Sequence, residues 1–216
     1  MLILKAGDKY LKNDNDEKTN NLVKKYIKIT DDPDINPGFT ELQIVTKIKD
    51  YKDKCKHIVN IIDINESEKF YICEKLTIID NIEYLPEEER KKIYYDLKEA
   101  RTFLRNLGIV YLDWKVNNIG IDLDGNIKLF DFDASGIFTL PDFKSPDYNI
   151  ATWEPLYKPT YIHVMYNYAL KMLNQFNCSS KTNPIQLDTF LFYNFVFNKL
   201  FLDPFKMIEE YKKINM

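Results

Sequence analysis

Glycine is scarce, with six in a chain of 216 residues. A loop that cradles phosphates with backbone N–H groups needs several glycines close together. Before the first strand-like segment the chain offers Gly7 alone, in Lys5-Ala6-Gly7-Asp8. Such a loop is therefore degenerate or absent. The two histidines, His57 and His163, are far apart, so no local histidine cluster exists for a metal. Cys55, Cys73 and Cys178 are an odd, scattered set that reads as reduced core thiols. No apolar run reaches the ~18 residues of a membrane span, and no signal-peptide pattern occurs. The expectation is a soluble, cytoplasmic chain. The net charge is −3 and there is no long basic tract, so nucleic acid is not the expected main partner.

What is present centres on Gly108 to Ser135, GIVYLDWKVNNIGIDLDGNIKLFDFDAS. Two apolar runs, Ile119–Ile121 and Ile127–Phe130, flank a turn at Asp124–Gly125, which predicts a hairpin. A loop with Asp113, Lys115 and Asn118 precedes it, and Asp131 follows. The hairpin would bring both polar ends into one pocket. Two carboxylates, an ammonium and an amide are costly to bury without a partner. Mg²⁺ with a polyphosphate would satisfy them, since carboxylates are hard oxygen ligands and Lys is a phosphate counter-charge. Asp122 and Asp124 read as solvated turn residues.

Asp113-Trp-Lys115-Val-Asn-Asn118, followed by Asp131-Phe132-Asp133, resembles the catalytic loop and metal motif of eukaryotic-type protein kinases. There the loop runs His-Arg-Asp, then x-Lys-x-x-Asn, and the later motif is Asp-Phe-Gly. Here Tyr111 and Leu112 replace His and Arg, and Asp133 replaces Gly. The chain is identified as a reduced, divergent member of the Ser/Thr kinase family. Its Asn-, Asp-, Lys-, Ile- and Tyr-rich bias accompanies AT-rich genomes such as those of large DNA viruses.

The resemblance implies an α+β, two-lobed fold. A small lobe with a β-sheet and a helix would cover residues 1–76, including the hinge. A truncated, mainly helical lobe would cover 77–216, with catalytic loop 111–118 and metal motif 131–133. Residues 22–29 have strand composition, and Lys28, between Ile27 and Ile29, resembles the lysine that steadies the nucleotide phosphates. Lys24 or Lys25 would be an ordinary solvent-facing strand lysine. A helix is expected from Phe39–Thr40, with apolar residues at largely helical spacing. Its Glu41 matches the residue that pairs with that lysine. Lys69–Leu76 reads as a central strand leading into a hinge. Backbone groups of Glu74, Lys75 and Leu76 would meet the adenine edge, and Ile72 would line the back of the pocket.

Pro86 and Glu87–Glu89 open a long helix whose Ile93, Leu97, Ala100, Leu104 and Leu107 form one apolar stripe, ended by Gly108. Residues 136–159 read as loop. A helix follows from Tyr161, where His163 is the nearest candidate for the family's loop-anchoring Asp. Leu187–Phe205 reads as a core helix pair.

By resemblance the cofactors are ATP and Mg²⁺. Asp113 orients the substrate hydroxyl, Lys115 neutralises the transferring phosphoryl, and Asn118 and Asp131 hold the metal. Three functions fit. The first is a minimal Ser/Thr protein kinase acting on a protein substrate. The second is a non-catalytic mimic that binds a partner kinase or signalling protein. The third is a small-molecule phosphotransferase, disfavoured by Lys115 two residues after Asp113.

Overall fold

The computed structural model describes residues 8–10, 21–27, 37–51, 54–133, 135–137 and 184–201. Four antiparallel strands form the first sheet: β1 (Asp8–Tyr10), β2 (Leu22–Tyr26), β3 (Ile61–Asn65) and β4 (Phe70–Glu74). Their spatial order is β1-β2-β4-β3, so β4 is central, as its apolar composition predicts. Between β2 and β3 runs helix α1 (Pro37–Asp50). It begins earlier than Phe39–Thr40, with Pro37 at the first helical position, where the missing N–H costs nothing. Leu42, Ile44, Val45 and Ile48 are buried on one face of α1. Each such side chain contributes about 1.5–3 kcal/mol when fully removed from water.

After β4 the chain turns into β5 (Thr77–Ile78) and then α2 (Glu87–Asn106). The predicted stripe of α2 is buried at Ile93, Leu97, Ala100 and Leu104, with Leu107 just beyond. Gly108 takes φ 70 and its N–H bonds to the Arg105 carbonyl at 2.9 Å. A left-handed residue just past the helix is where glycine ends helices without strain.

Three short strands follow, β6 (Ile109–Tyr111), β7 (Ile119–Ile121) and β8 (Ile127–Leu129), and then β9 (Ser135–Ile137). β7 and β8 form the predicted hairpin, β5 adds to its other edge, and β9 pairs with β6. The hairpin turn is closed by Gly125, at φ 81, whose N–H donates to the Asp122 carbonyl. Asp122 is no solvated turn residue. Its carboxylate accepts from the backbone N–H groups of Asp124 and Asn126 and lies 3.3 Å from Lys128 Nζ. Burial opposes its ionisation, but the hydrogen bonds from Asn126 and Lys128 win and lower its pKa.

Helix α3 (Pro184–Phe195) runs on into one wide turn, Val196–Leu200, whose end is closed by a Phe201 N–H to Val196 carbonyl bond. Phe190, Phe192, Phe195 and Phe197 are all buried in the core. Trp114 of the loop after β6 packs edge-on to Phe192 at 4.9 Å. The loop is thus backed by aromatic rings. Among the described residues, no helix is long and apolar enough to cross a membrane.

Candidate active site

Strand β2 and helix α1 supply the first half of the site. Lys25 and Val23 share one face of β2 because side chains alternate along a strand. Their register partners on β4 are Tyr71 and Cys73, which share that face. The Lys25 ammonium donates to Glu41 Oε1 at 2.5 Å and to Asp131 Oδ1 at 2.7 Å. Glu41 is buried, and also accepts from the Tyr71 hydroxyl at 3.1 Å. Burial alone would lower the Lys25 pKa. The electrostatic pull of Tyr71, Glu41 and Asp131 outweighs it, and the pKa is raised. Lys25 is therefore a fixed cation.

The pair expected between Lys28 and Glu41 is thus made by Lys25, and Lys28 lies outside the described residues. The regular strand ends at Tyr26, so its one cleft-facing lysine is Lys25. Lys24 turns to the other face, with its ammonium 3.5 Å from the centre of the Phe70 ring. Ile72 is the register partner of Lys24 and shares that opposite face. It does not line the Lys25 side; Tyr71 and Cys73 do.

The loop after β6 and the turn after β8 supply the second half. Asn118 is buried and donates through Nδ2 to the Asp113 backbone carbonyl at 3.0 Å and to its carboxylate at 2.9 Å. The same Nδ2 lies 2.9 Å from the Tyr111 hydroxyl. That hydroxyl donates to the Phe130 carbonyl at 2.8 Å. Lys115 Nζ is ion-paired with the Asp113 carboxylate. Asp131 has φ 66, a left-handed backbone that costs a non-glycine residue about 1–3 kcal/mol and clusters at functional sites. Leu112, where the resemblance expects Arg, is fully buried and has joined the core.

Asp113, Asp131 and Asp133 each offer a carboxylate oxygen, and these lie within 4.8 Å of one another. Hard divalent cations such as Mg²⁺ take this kind of ligand. Burial, and then the neighbouring Asp131, push the Asp133 carboxyl up to about 6. A cation placed among the three would relieve that repulsion, so the donor set fits the metal. Asn118, expected as a ligand, is hydrogen-bonded through Nδ2 to the Asp113 carboxylate at 2.9 Å.

The connection from β4 to β5 carries Glu74, Lys75 and Leu76. Here the Glu74 N–H bonds to the Asn60 carbonyl at 3.1 Å and the Lys75 N–H to the Asn21 carbonyl at 2.8 Å. Glu74 Oε1 accepts from Lys128 Nζ at 2.7 Å and from the Asn60 N–H at 2.6 Å. A Cβ on Gly120 would lie 2.7 Å from Leu76 Cβ, so the bare glycine lets this connection lie against the hairpin.

A buried ion pair ties α2 to α3, the helix whose Phe192 packs on Trp114 of the loop. Arg101 of α2 donates to Asp188 Oδ2 at 2.6 Å and to the Thr189 hydroxyl at 2.5 Å. Burial pushes the Asp188 carboxyl up against the opposing pull of Arg101. His163 lies outside the described residues. Asp188, on the helix that backs Trp114, was hidden in the sequence by its phenylalanine-rich surroundings. His57 is a buried packing residue, with Nδ1 donating to the Ile127 carbonyl at 2.8 Å.

Residues 9–154 match the family model described as "Protein kinase domain". Sperm motility kinase 2A of Mus musculus is 32% identical over 84 residues, 35% of this chain and 17% of that protein. The probable serine/threonine-protein kinase KIN1 homolog of Enterocytozoon bieneusi is 31% identical over 94 residues, 40% of this chain and 16% of that protein. Serine/threonine-protein kinase RUNKEL of Arabidopsis thaliana is 47% identical over 51 residues, 24% of this chain and 4% of that protein. The chain matches no more than 17% of the length of any of these three.

Proposed function

The chain belongs to the protein kinase domain family, and on that premise we propose that it transfers a phosphoryl group from ATP to Ser/Thr hydroxyls of a protein substrate. The observation that carries this reading is the Lys25 ammonium set between Glu41 and Asp131, beside the carboxylates of Asp113 and Asp133. Phosphoryl transfer needs mainly positioning and charge neutralisation, and these groups supply both. Lys25, in the role expected of Lys28, holds the α/β-phosphates and is itself steadied by Glu41. Asp113 orients the acceptor hydroxyl and takes its proton. Lys115 neutralises the transferring group. Asn118, Asp131 and Asp133 would hold Mg²⁺, which when bound neutralises phosphate charge. The Leu76 backbone would meet the adenine, the Glu74 and Lys75 N–H groups being already bonded to the Asn60 and Asn21 carbonyls.

The test is calorimetric titration of the chain with ATP and Mg²⁺, together with phosphoryl transfer to a mixed protein extract. Binding and transfer that both require Mg²⁺ support the enzyme. A correctly folded chain that binds no nucleotide at millimolar concentration sinks it. The second reading, a mimic that binds a partner kinase, then takes its place. That reading is favoured by Gly7 being the single glycine ahead of β2.

A further inference from the structure

Tyr71 stands on β4, an inner strand of the first sheet, between its register partners Lys25 on β2 and Ile64 on β3. Its ring is buried, and the Lys25 ammonium lies 5.8 Å from the ring centre. Its hydroxyl reaches Glu41 Oε1 at 3.1 Å, the same oxygen that accepts from Lys25 Nζ at 2.5 Å. A carboxylate oxygen can only accept, so this bond takes the one phenolic proton. Burial pushes the Tyr71 hydroxyl well above its ordinary pKa, against the opposing pull of Lys25, so it stays a donor at neutral pH. Glu41 has use for this second donor. It is buried on α1, and its cation is shared, since Lys25 also pairs with Asp131 at 2.7 Å. An ammonium has three N–H donors. Two go to Glu41 and Asp131, and the direction of the third follows from where those two oxygens stand. Whatever fixes Glu41 Oε1 therefore aims the remaining donor.

We infer that Tyr71 is a positioning residue for Lys25: its hydroxyl pins Glu41 Oε1 to β4 and so sets the direction in which the ammonium meets a nucleotide phosphate. It acts through Glu41 and touches neither phosphate nor metal. The inference rests on the phosphotransfer reading above, and adds a residue outside the motifs that carry the kinase resemblance. The ring alone would fill the same space, so shape is separable from the hydrogen bond. Tyr71→Phe removes one oxygen and keeps the buried ring.

Two measurements test it. The first is calorimetric titration of the full chain, in saturating Mg²⁺, with ATP and with adenosine, which has no phosphate for Lys25 to meet. Tyr71→Phe should lose about three- to tenfold in ATP affinity, the worth of one hydrogen bond, and keep its affinity for adenosine. Unchanged ATP affinity overturns the inference. So does a loss for adenosine as large as that for ATP, which would mean a damaged pocket and not a misdirected ammonium. The second is hydrogen exchange of the backbone amides of α1, read without metal or nucleotide. It should quicken in Tyr71→Phe, while α2 exchanges as in wild type. If wild type binds no ATP, the phosphotransfer reading fails. The exchange then decides the tether alone, as it does where adenosine binds too weakly to titrate. Unchanged exchange in α1, or an equal rise in α2, overturns it, and a rise confined to α1 upholds it. Tyr71→Met, which fills the space without a hydroxyl, covers the case of a misfolded Tyr71→Phe. It should lose affinity for ATP and not for adenosine, and an unchanged ATP affinity counts against the inference.

Discussion

Lys25 Nζ lies 2.7 Å from Asp131 Oδ1, joining two residues 106 positions apart in the chain. The bond ties β2, an inner strand of the first sheet, to the turn after the β7–β8 hairpin. Glu41 completes the group from α1, so one ammonium satisfies carboxylates from two separate elements. Lys25 is 19% exposed at its side chain and Glu41 3%, which places the pair at the wall of the site and not at the free surface.

Lys25→Met should cost nucleotide affinity about tenfold or more, since a charge-assisted contact is worth roughly 1.5–3 kcal/mol. It also leaves Glu41 buried without its cation, which lowers the melting temperature. Adding Glu41→Gln should recover stability but not affinity. Calorimetric titration and thermal unfolding of the single and double variants separate the two effects. Recovery of affinity in the double variant would show that Lys25 acts only on the fold.

The two carboxylates at the ends of the hairpin should divide their roles. Asp131→Asn is expected to abolish Mg²⁺-dependent nucleotide binding, because it removes charge that neutralises the metal. Asp113→Asn should weaken binding less than Asp131→Asn does and mainly reduce turnover, since its chief part is played in the transition state. Equal loss of binding in both variants would contradict this division.

Asp133 gives a pH dependence of defined sign. Its carboxyl, ordinarily near 3.8, is pushed up to about 6 in the fold, first by burial and then by Asp131. The native state therefore binds more protons than the unfolded chain between those values. The contribution favours folding below the lower value and is lost as pH rises through the upper one. Without metal, stability should fall over that interval by on the order of 3 kcal/mol. Asp133→Asn should flatten the profile and be the more stable protein at neutral pH. Denaturant titrations in a chelator at several pH values measure it. A wild-type stability that rises over the same interval, by an amount that Asp133→Asn removes, would reverse the assignment.

Removing Arg101 should be costly for stability. Arg101→Leu leaves the Asp188 carboxyl buried without its partner, a loss of about 3–5 kcal/mol. Urea unfolding checks this. A loss below about 1 kcal/mol, the worth of an exposed pair, would mean that water reaches Asp188.

Leu112 is buried in the core, where the kinase resemblance expects an Arg that reads a phosphorylated segment. Activity is therefore expected to be independent of such phosphorylation. Assay before and after phosphatase treatment tests this, and a large loss of activity would count against it.

The sequence by itself determined the local pieces. The α2 stripe, the Gly108 stop, the hairpin around Gly125 and the order Asp113, Lys115, Asn118, Asp131 all follow from spacing, because short-range periodicity and turn chemistry leave a direct trace. Glu41 was legible as an ion-pair partner through the resemblance to the kinase family alone. Which lysine reaches it was not. Lys24, Lys25 and Lys28 lie in one short strand-like run, and only the pairing of β2 with β4 decides which of them faces Tyr71 and Glu41. The same register sends Ile72 to the far face. A one-residue difference reverses a strand side chain, and the choice is made by the whole sheet. Asp133 and Tyr111 were visible as departures from a motif, yet their surroundings belong to the fold. The carboxylates of Asp113, Asp131 and Asp133 converge only once the hairpin closes. The Tyr111 hydroxyl at the end of β6 meets the Phe130 carbonyl after β8 only once the chain between them has folded back. Asp188 shows the limit most plainly: it finds Arg101 across 87 residues of sequence, a contact made by helix packing that no local pattern encodes.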